Sequence, residues 1–356
     1  MLYKASIILA LAAAINATVL DHISKRNAGL EVTLTEIGNA EVKAVIKNVG
    51  DKALKLFTYG TIFDDAPVEK INVFSGEEAL PFEGVLRTVE YTNLAEEVFY
   101  TLEAGATYET EISAAATFNL ETGKYSVSAE GAFAYAEIGS NELSKDAVTY
   151  KSNTLELQVD GEAAKKVRKS LPALMERTVL QSSCTGTRRT STLNAYTACV
   201  TRARLAATAA RTGSATLFNT FFKTTATATR NAVSARFSAI ATECGSSTSG
   251  RTTYYCTDPY GYCSSNTVAY AIPSLNLVNN CPIFFNYATS TSGCSYGIDG
   301  AGTTIHEFTH TPAVYSPGTQ DYAYGYAAST RLTSAQSLAN ADNFALYAKA
   351  VQNGCS

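Results

Sequence analysis

The chain has 356 residues, which is enough for two domains of ordinary size. Its 46% hydrophobic and 17% charged residues are typical of a globular protein and exclude a mainly disordered chain. Residues 1–177 hold 17 Lys and Arg against 26 Asp and Glu, a net charge of −9, whereas residues 178–356 hold 11 against 6, a net charge of +5. The two halves are therefore expected to be separate domains of complementary charge.

The first segment has the pattern of a secretory signal peptide. Lys4 precedes an apolar run from Ala5 to Ile15, and the small residue Ala17 closes the segment. The run is shorter than the roughly 20 residues needed to cross a bilayer. We therefore assign residues 1–17 as a signal peptide and expect a secreted, extracellular protein without a membrane segment.

Residues 18–177 are predicted to be rich in β-structure. The stretches 31–35 and 41–47 alternate polar and apolar residues, with turn sequences between them, and the stretches 107–112 and 123–129 continue the pattern. Several short strands at this spacing favour an all-β, immunoglobulin-like sandwich. A basic, helical-looking linker follows at residues 163–169.

Residues 178–356 are predicted to be mainly α-helical. Residues 190–242 are rich in Ala, Thr and Arg at helical spacing, which indicates two or three helices. Residues 246–300 are rich in Gly, Ser, Tyr and Cys and should form loops with a short β-hairpin. A helix over residues 303–311 and a terminal helix over residues 333–351 complete the predicted domain.

The cysteines are confined to this second half. An even number in one half of a secreted chain indicates four disulfides within one domain. The absence of any Cys-x-x-Cys pair argues against a zinc ribbon. The cysteines are Cys184, Cys199, Cys244, Cys256, Cys263, Cys281, Cys294 and Cys355.

A His-Glu-x-x-His motif carries the chemistry. Residues 306–310 read His-Glu-Phe-Thr-His, and the chain has only three histidines in all. Since residues four apart share one face of a helix, His306 and His310 can bind one metal ion. Glu307 can then take a proton from metal-bound water. This pattern predicts a catalytic zinc site.

A catalytic zinc site needs a third protein ligand, and residues 318–325 offer Asp321. They read Gly-Thr-Gln-Asp-Tyr-Ala-Tyr-Gly. Together with the histidine motif, this stretch resembles the deuterolysin family of fungal aspzincin metalloproteases, over essentially all of residues 178–356. The resemblance implies a zincin-type catalytic domain, one Zn²⁺ per chain bound by His306, His310 and Asp321, and Glu307 as the general base.

The resemblance also predicts a substrate pocket. Asp342 is the alternative third ligand, and we instead assign it, with Tyr324, to the pocket beside the zinc. In the lysine-specific relatives an acid at this position works with a second acid three residues later, where this chain has Ala345. A preference for basic substrates without strict lysine specificity follows. The family's tyrosine after the Cys281 equivalent falls at Phe284, and its role stays unassigned, with Tyr287 nearby.

The disulfide pairing is likewise implied by the resemblance. The family pattern joins three pairs and leaves Cys199 and Cys244 as an extra pair between two predicted helices. The three family pairs are Cys184–Cys256, Cys263–Cys281 and Cys294–Cys355.

The predicted function is a secreted zinc metalloendopeptidase that acts as a monomer on protein or peptide substrates. The alternative is a secreted β-sandwich binding or adhesion protein with a structural zinc site, and the presence of Glu307 distinguishes the two. Nucleic acid is not an expected partner, because few aromatic residues lie among the arginines of the predicted helices. These arginines are Arg188, Arg189, Arg202, Arg204 and Arg211.

Residues 18–177 are predicted to be a propeptide that serves as intramolecular inhibitor and chaperone. The charge and cysteine boundaries meet near Arg177, which marks the expected cut, with processing at the basic pairs ending at Lys166 or Lys169 as the alternative. The propeptide has no cysteine, so it cannot block zinc with a thiolate. We expect it to cover the cleft instead, helped by opposite charge.

Overall fold

The computed structural model describes residues 29–167 and 180–355. The signal peptide assigned to residues 1–17 and the processing point near Arg177 lie outside the described residues and stay predictions. So does the basic pair ending at Lys169.

The N-terminal region, residues 29–167, is built from short strands. They are β1 Leu30–Gly38, β2 Glu41–Asn48, β3 Leu54–Phe57, β4 Asn72–Ser75, β5 Glu78–Ala79, β6 Leu86–Val89, β7 Phe99–Leu102, β8 Thr107–Ser113, β9 Gly123–Ser128, β10 Glu130–Ala136, β11 Leu143–Lys151 and β12 Leu155–Val159. The short helices are α1 Ala114–Thr117, α2 Gly161–Ala164 and a 3₁₀ turn at Glu96–Val98.

All of these strands except β6 divide among three sheets, with orders β1-β2-β8, β11-β10-β3-β7 and β12-β9-β4-β5. In β2, Val42, Ala44 and Ile46 are buried between more exposed neighbours, as the alternating sequence predicts. Their side chains join one apolar core that also includes Phe63 and Phe133. The β-rich prediction is confirmed, but the two-sheet, immunoglobulin-like detail is not.

The C-terminal region, residues 180–355, is mainly helical. Its helices are α3 Gly186–Thr212, α4 Ala215–Phe222, α5 Thr227–Cys244, α6 Gly300–His310, α7 Gly325–Ser329, α8 Ser334–Leu338 and α9 Ala341–Asn353, with 3₁₀ turns at Pro273–Leu275 and Pro282–Asn286. Its strands are β13 Thr253–Tyr255, β14 Thr267–Ile272 and β15 Leu277–Asn280. Three helices cover the stretch for which two or three were predicted, and β14 and β15 form the expected hairpin.

Aromatic side chains and disulfides hold this region together. Phe218 and Phe222 of α4 pack with Phe237 of α5 and with Phe344 and Tyr347 of α9. The three disulfides that the resemblance implied are present, as Cys184–Cys256, Cys263–Cys281 and Cys294–Cys355, and so is the extra pair Cys199–Cys244. In the described parts of the chain, no helix has the length and apolar character needed to cross a membrane.

One strand of the N-terminal region lies in the sheet of the C-terminal region. The order of that sheet is β13-β15-β14-β6, and β6 pairs antiparallel with β14. Its register places Thr88 opposite Ala269 and Arg87 opposite Tyr270. Because β14 lies beside α6, this pairing brings the N-terminal region next to the His-Glu-x-x-His helix.

Candidate active site

The start of α6 is fixed by a buried ion pair. Asp299 caps the helix, with its carboxylate accepting a 2.8 Å hydrogen bond from the backbone N–H of Gly302. The guanidinium of Arg202, on α3, donates to both carboxylate oxygens at 2.6 and 2.9 Å. Both side chains are fully buried. The helix that carries the motif is therefore anchored to the longest helix of the region.

All described side chains of α6 from Thr303 to His310 are buried. The rings of His306 and His310 lie on one face of the helix, with centroids 4.8 Å apart. Phe308 packs instead against Tyr196 and Tyr254. The helical period thus places the two histidines on one face of α6 and the packing residue Phe308 on another.

The chain after α6 turns back onto the histidine face. The N–H of Thr319 donates to the carbonyl of Thr309 at 2.9 Å, and the hydroxyls of these two residues lie 2.6 Å apart. A Cβ at Gly318 would stand only 2.4 Å from the carbonyl oxygen of His310, so this position requires glycine. Arg236 donates to the carbonyls of Thr309 and Pro317 and holds the turn. This turn places the carboxylate of Asp321 beside the imidazoles of His306 and His310.

Three donor atoms converge at this point. Nε2 of His306 lies 3.2 Å from Oδ1 of Asp321, and Nε2 of His310 lies 3.4 Å from Oδ2. Within the described residues both Nε2 atoms and Oδ1 of Asp321 are buried without a hydrogen-bond partner. His306, His310 and Asp321 form a group able to hold a metal ion, with donor atoms within 4.8 Å of one another.

The distances fit zinc. Bonds of about 2.0–2.2 Å in a tetrahedral site place neighbouring donor atoms about 3.3 Å apart. Burial alone would lower the pKa of His306, but the carboxylates of Asp321 and Asp342 hold it well above its usual value. The pocket therefore favours a positive charge between these groups, as a metal ion would supply.

Both imidazoles are oriented through their second nitrogen. Nδ1 of His306 lies 2.8 Å from Oδ1 of Asp342, and Nδ1 of His310 lies 3.0 Å from the carbonyl oxygen of Thr319. Such contacts fix the tautomer and leave Nε2 for the metal. This geometry favours Asp321 over Asp342 as the third ligand.

Glu307 lies on the same helix between the two histidines. Burial raises the pKa of its carboxyl to about 7, although His306 and His310 act in the opposite direction. A carboxylate with a pKa near neutrality suits a general base. Oε1 accepts hydrogen bonds from the N–H and the hydroxyl of Thr88, at 3.1 and 2.7 Å, and Oε2 has no partner in the described residues.

The residues assigned to the substrate pocket also lie here. Asp342 and Ala345 line a cavity beside His306, together with Leu346 and Lys349. Oδ2 of Asp342 accepts hydrogen bonds from the N–H of Gly325 at 2.6 Å and from the hydroxyl of Tyr91 at 2.5 Å. Asp342 therefore both lines the cavity and orients a histidine, which the sequence pattern did not indicate.

Tyr324 is a second tyrosine close to the site, with its hydroxyl hydrogen-bonded to Asp321. It is buried, and burial together with Asp321 and Asp342 raises the pKa of its hydroxyl well above the usual value. Gly60 of the N-terminal region has a φ of +69°, and a Cβ there would stand 2.2 Å from the Tyr324 hydroxyl. Phe284 instead packs with Ala195 and Val268.

Several site residues were missed in the sequence. Thr319 and Arg202 orient or anchor the motif helix, and Arg87, Thr88 and Tyr91 reach the site from the other region. Arg87, Thr88 and Tyr91 belong to no sequence motif that would indicate a place in the site. A signal for Arg202 existed, because an arginine on the apolar face of a helix predicts a buried partner.

Comparisons with known proteins show the family of the chain. Residues 2–355 match the family described as deuterolysin metalloprotease (M35). A neutral protease 2 homologue of Botryotinia fuckeliana is 52% identical over 349 residues, covering 98% of each chain. Penicillolysin of Penicillium citrinum is 42% identical over 332 residues, covering 92% of each chain. A solved zinc peptidase from Grifola frondosa is 22% identical with a TM-score of 0.39, covering 47% of this chain and 97% of that one.

Proposed function

The chain belongs to the deuterolysin metalloprotease family and is a zinc metalloendopeptidase, and from this premise we propose that Glu307 is its general base. The observation that carries the proposal is the convergence of His306, His310 and Asp321 around one point, with Glu307 beside them. Three protein ligands leave one position of a tetrahedral site open for water, as in catalytic rather than structural zinc sites. The alternative interpretation, a binding protein with structural zinc, is therefore set aside.

One zinc ion per chain is proposed, with His306, His310 and Asp321 as ligands. Zinc, when bound, polarises a carbonyl and lowers the pKa of bound water to about 7. Glu307 takes the proton of the attacking water and returns it to the nitrogen of the cleaved bond. The Tyr324 hydroxyl, buried near Asp321, can donate to the oxygen that becomes negative.

The substrates are proposed to be proteins and peptides, with a preference for basic side chains. Asp342 supports this preference, since its carboxylate faces a cavity whose other walls include Ile298, Ala345 and Leu346. Such a cavity accepts an apolar stem with a cationic end. Lys349 in the same cavity and the missing second acid at Ala345 argue against strict lysine specificity.

We also propose that the protein is secreted and acts as a monomer, and that residues 18–177 are a removable, inhibitory propeptide. Four disulfides and the leader sequence support secretion. The contacts of β6 with Glu307 and Asp321 support inhibition, because a substrate needs the same groups.

The general base is tested with the mature form of Glu307→Gln. We expect zinc content to be retained and protein hydrolysis to fall by on the order of 10³-fold or more. Asp258→Asn is the matched control, because Asp258 accepts hydrogen bonds from the backbone of its own loop, residues 258–263. Unchanged hydrolysis by Glu307→Gln would disprove the role of Glu307. Mapping the cut sites in a protein of known sequence tests the basic preference in the same experiment.

A further inference from the structure

The strand β6 occupies a position that a bound peptide would take. Without β6, β14 is the edge of its sheet. An exposed edge strand next to a catalytic helix is a common place for peptides to bind, through main-chain hydrogen bonds. Residues 86–89 fill this edge with an antiparallel register that runs from Leu86 opposite Ala271 to Val89 opposite Thr267.

The peptide bond between Arg87 and Thr88 lies at the catalytic groups. The N–H of Arg87 donates to Oδ2 of Asp321 at 3.0 Å, and the N–H of Thr88 donates to Oε1 of Glu307 at 3.1 Å. These two nitrogens flank the carbonyl of Arg87. In hydrolysis the general base must pass a proton to the nitrogen of the broken bond, and here that nitrogen belongs to Thr88.

The side chain of Thr88 adds a contact that an ordinary peptide does not make. Its hydroxyl donates to the same Oε1 of Glu307, at 2.7 Å, and is buried. This oxygen then accepts two hydrogen bonds from one residue. Oε1 is the carboxylate oxygen that faces the nitrogen of residue 88, so the hydroxyl competes with water for this oxygen, whereas Oε2 has no partner among the described residues.

Contacts with both regions hold this strand in place. The guanidinium of Arg87 pairs with Asp64 at 3.0 Å, and both side chains are buried. At the other end, the N–H of Glu90 donates to the carbonyl of Asn266, and the hydroxyl of Tyr91 donates to Asp342. The backbone of residues 86–89 is thus bound by the C-terminal region while the Arg87 side chain is tied to the N-terminal one.

We propose that residues 86–89 inhibit the enzyme as a bound substrate that is not cleaved, because the hydroxyl of Thr88 occupies Oε1 of Glu307, the oxygen that faces the nitrogen of the bond. The proposal rests on the proposed role of Glu307 as general base. If the hydroxyl is absent, the Arg87–Thr88 bond becomes a substrate. Water oxygen then bonds to the carbonyl carbon of Arg87, the C–N bond breaks, and one water proton passes through Glu307 to the nitrogen of residue 88.

The test uses the full-length proprotein loaded with zinc and four variants. Thr88→Val removes the hydroxyl and keeps the shape, Thr88→Ala removes it without adding a methyl, and Thr88→Ser retains it. Intact masses and new N-termini are measured over time. We expect the bond after Arg87 to be cut at least tenfold faster in Thr88→Val and Thr88→Ala than in the wild type and Thr88→Ser. Combining Thr88→Val with Glu307→Gln should abolish the cut.

Two results overturn the proposal. In the first, the bond after residue 87 is cut no faster in Thr88→Val or Thr88→Ala than in the wild type. This result counts when the wild-type mature enzyme hydrolyses protein and its Glu307→Gln variant does not. In the second, Thr88→Ser is cut as fast as Thr88→Val. Persistent cutting when Glu307→Gln is combined with Thr88→Val would instead contradict the proposed function, so the two failures are distinguishable.

A second measurement needs no zinc. In zinc-free wild-type proprotein, hydrogen exchange at the amides of residues 86–89 should be at least tenfold slower than at the exposed turn of residues 76–77. The reason is that the amides of Arg87 and Thr88 donate to buried carboxylates. Equal exchange rates at the two segments would show that the strand is not held in the cleft.

Discussion

The two regions of the molecule use acidic side chains in opposite ways. Residues 178–356 contain six Asp and Glu, and each is buried or half-buried in a specific contact. Glu243 and Asp258 hold backbone N–H groups of loops, and Asp299 caps the motif helix. The remaining acids are Glu307, Asp321 and Asp342 of the site.

The N-terminal region has many more acids, and most of them are exposed. Glu109, for example, pairs with Lys43 on the surface, where an ion pair contributes about 0–1 kcal/mol. Asp64, which is buried, and Glu69, which is half-buried and accepts a hydrogen bond from Gln320, differ because they lie near the contact with the other region. An acid in the C-terminal region therefore has a definite structural or chemical task, whereas the N-terminal acids mainly set charge and solubility.

The largest effect is expected at the metal. Asp321→Ala removes one of the three proposed ligands, so zinc content should fall from about one per chain to near zero, and hydrolysis should be lost with it. Metal analysis and protein cleavage by the mature form check this together. Glu109→Gln in the proprotein is the contrasting control and should retain full zinc. A zinc-loaded Asp321→Ala would mean that another group is the third ligand.

The next effect concerns stability. Arg202→Ala leaves the buried carboxylate of Asp299 without its bidentate partner, which should lower the free energy of unfolding of the mature domain by about 3–5 kcal/mol. Denaturant unfolding measures the change. Arg204→Ala is the matched control, because Arg204 is exposed on the same helix and should change stability by less than about 0.5 kcal/mol. Equal losses in both variants would contradict the importance of the cap.

A smaller effect is expected at the carboxylate that orients His306. Asp342→Ala should keep the three zinc ligands but lower the affinity for zinc by about 10–100-fold, because His306 loses the partner of its Nδ1. It should also change which bonds are cut, since Asp342 lines the cavity beside the metal. Competition with a chelator measures the affinity, and Asp258→Asn provides the control. An unchanged affinity for zinc would mean that Asp342 does not orient His306 and acts only in the substrate pocket.

Local pattern predicted much of this site. Spacing placed His306 and His310 on one helical face, and the family resemblance supplied Asp321 and the disulfides. The predicted terminal helix over residues 333–351 is instead divided into α8 and α9. The reason is long-range, because the Asn340 side chain bonds to the backbone of Ala323 and the backbone of Gln320 bridges this break. Such long-range contacts leave no pattern in the hydrophobic periodicity of the local sequence.

The pairing of β6 with β14 also could not be predicted from the sequence. Arg87 and Asp321 are 234 positions apart, and a strand of only four residues has many edges to which it can pair. Only the fold of both regions determines the partner. The expectation that the N-terminal region covers the cleft followed from the missing cysteine, but the proposed role of Thr88 followed only from the contacts of β6 in the folded protein.

The smallest effect is expected from the opposite charges of the two regions. Among the described residues, the ion pair that joins the regions is Arg331–Asp146, with side chains 47% and 52% exposed. The other contacts are hydrogen bonds, as between the Tyr322 hydroxyl and Asn72 or the Gln320 amide and Glu69, and apolar packing, as between Ala132 and Ala323. An exposed ion pair contributes about 0.2–1 kcal/mol, which is a factor of about five at most.

Inhibition of the mature enzyme by separately produced residues 18–177 should therefore weaken by about fivefold or less between 0.1 and 1 M salt. Over this range the screening length falls from about 10 to about 3 Å, which removes most attraction between exposed charges. Asp146→Asn should lose most of the salt dependence, whereas Glu109→Gln, whose partner Lys43 lies in its own region, should retain it. A hundredfold weakening would mean that charge, rather than strand pairing, governs docking.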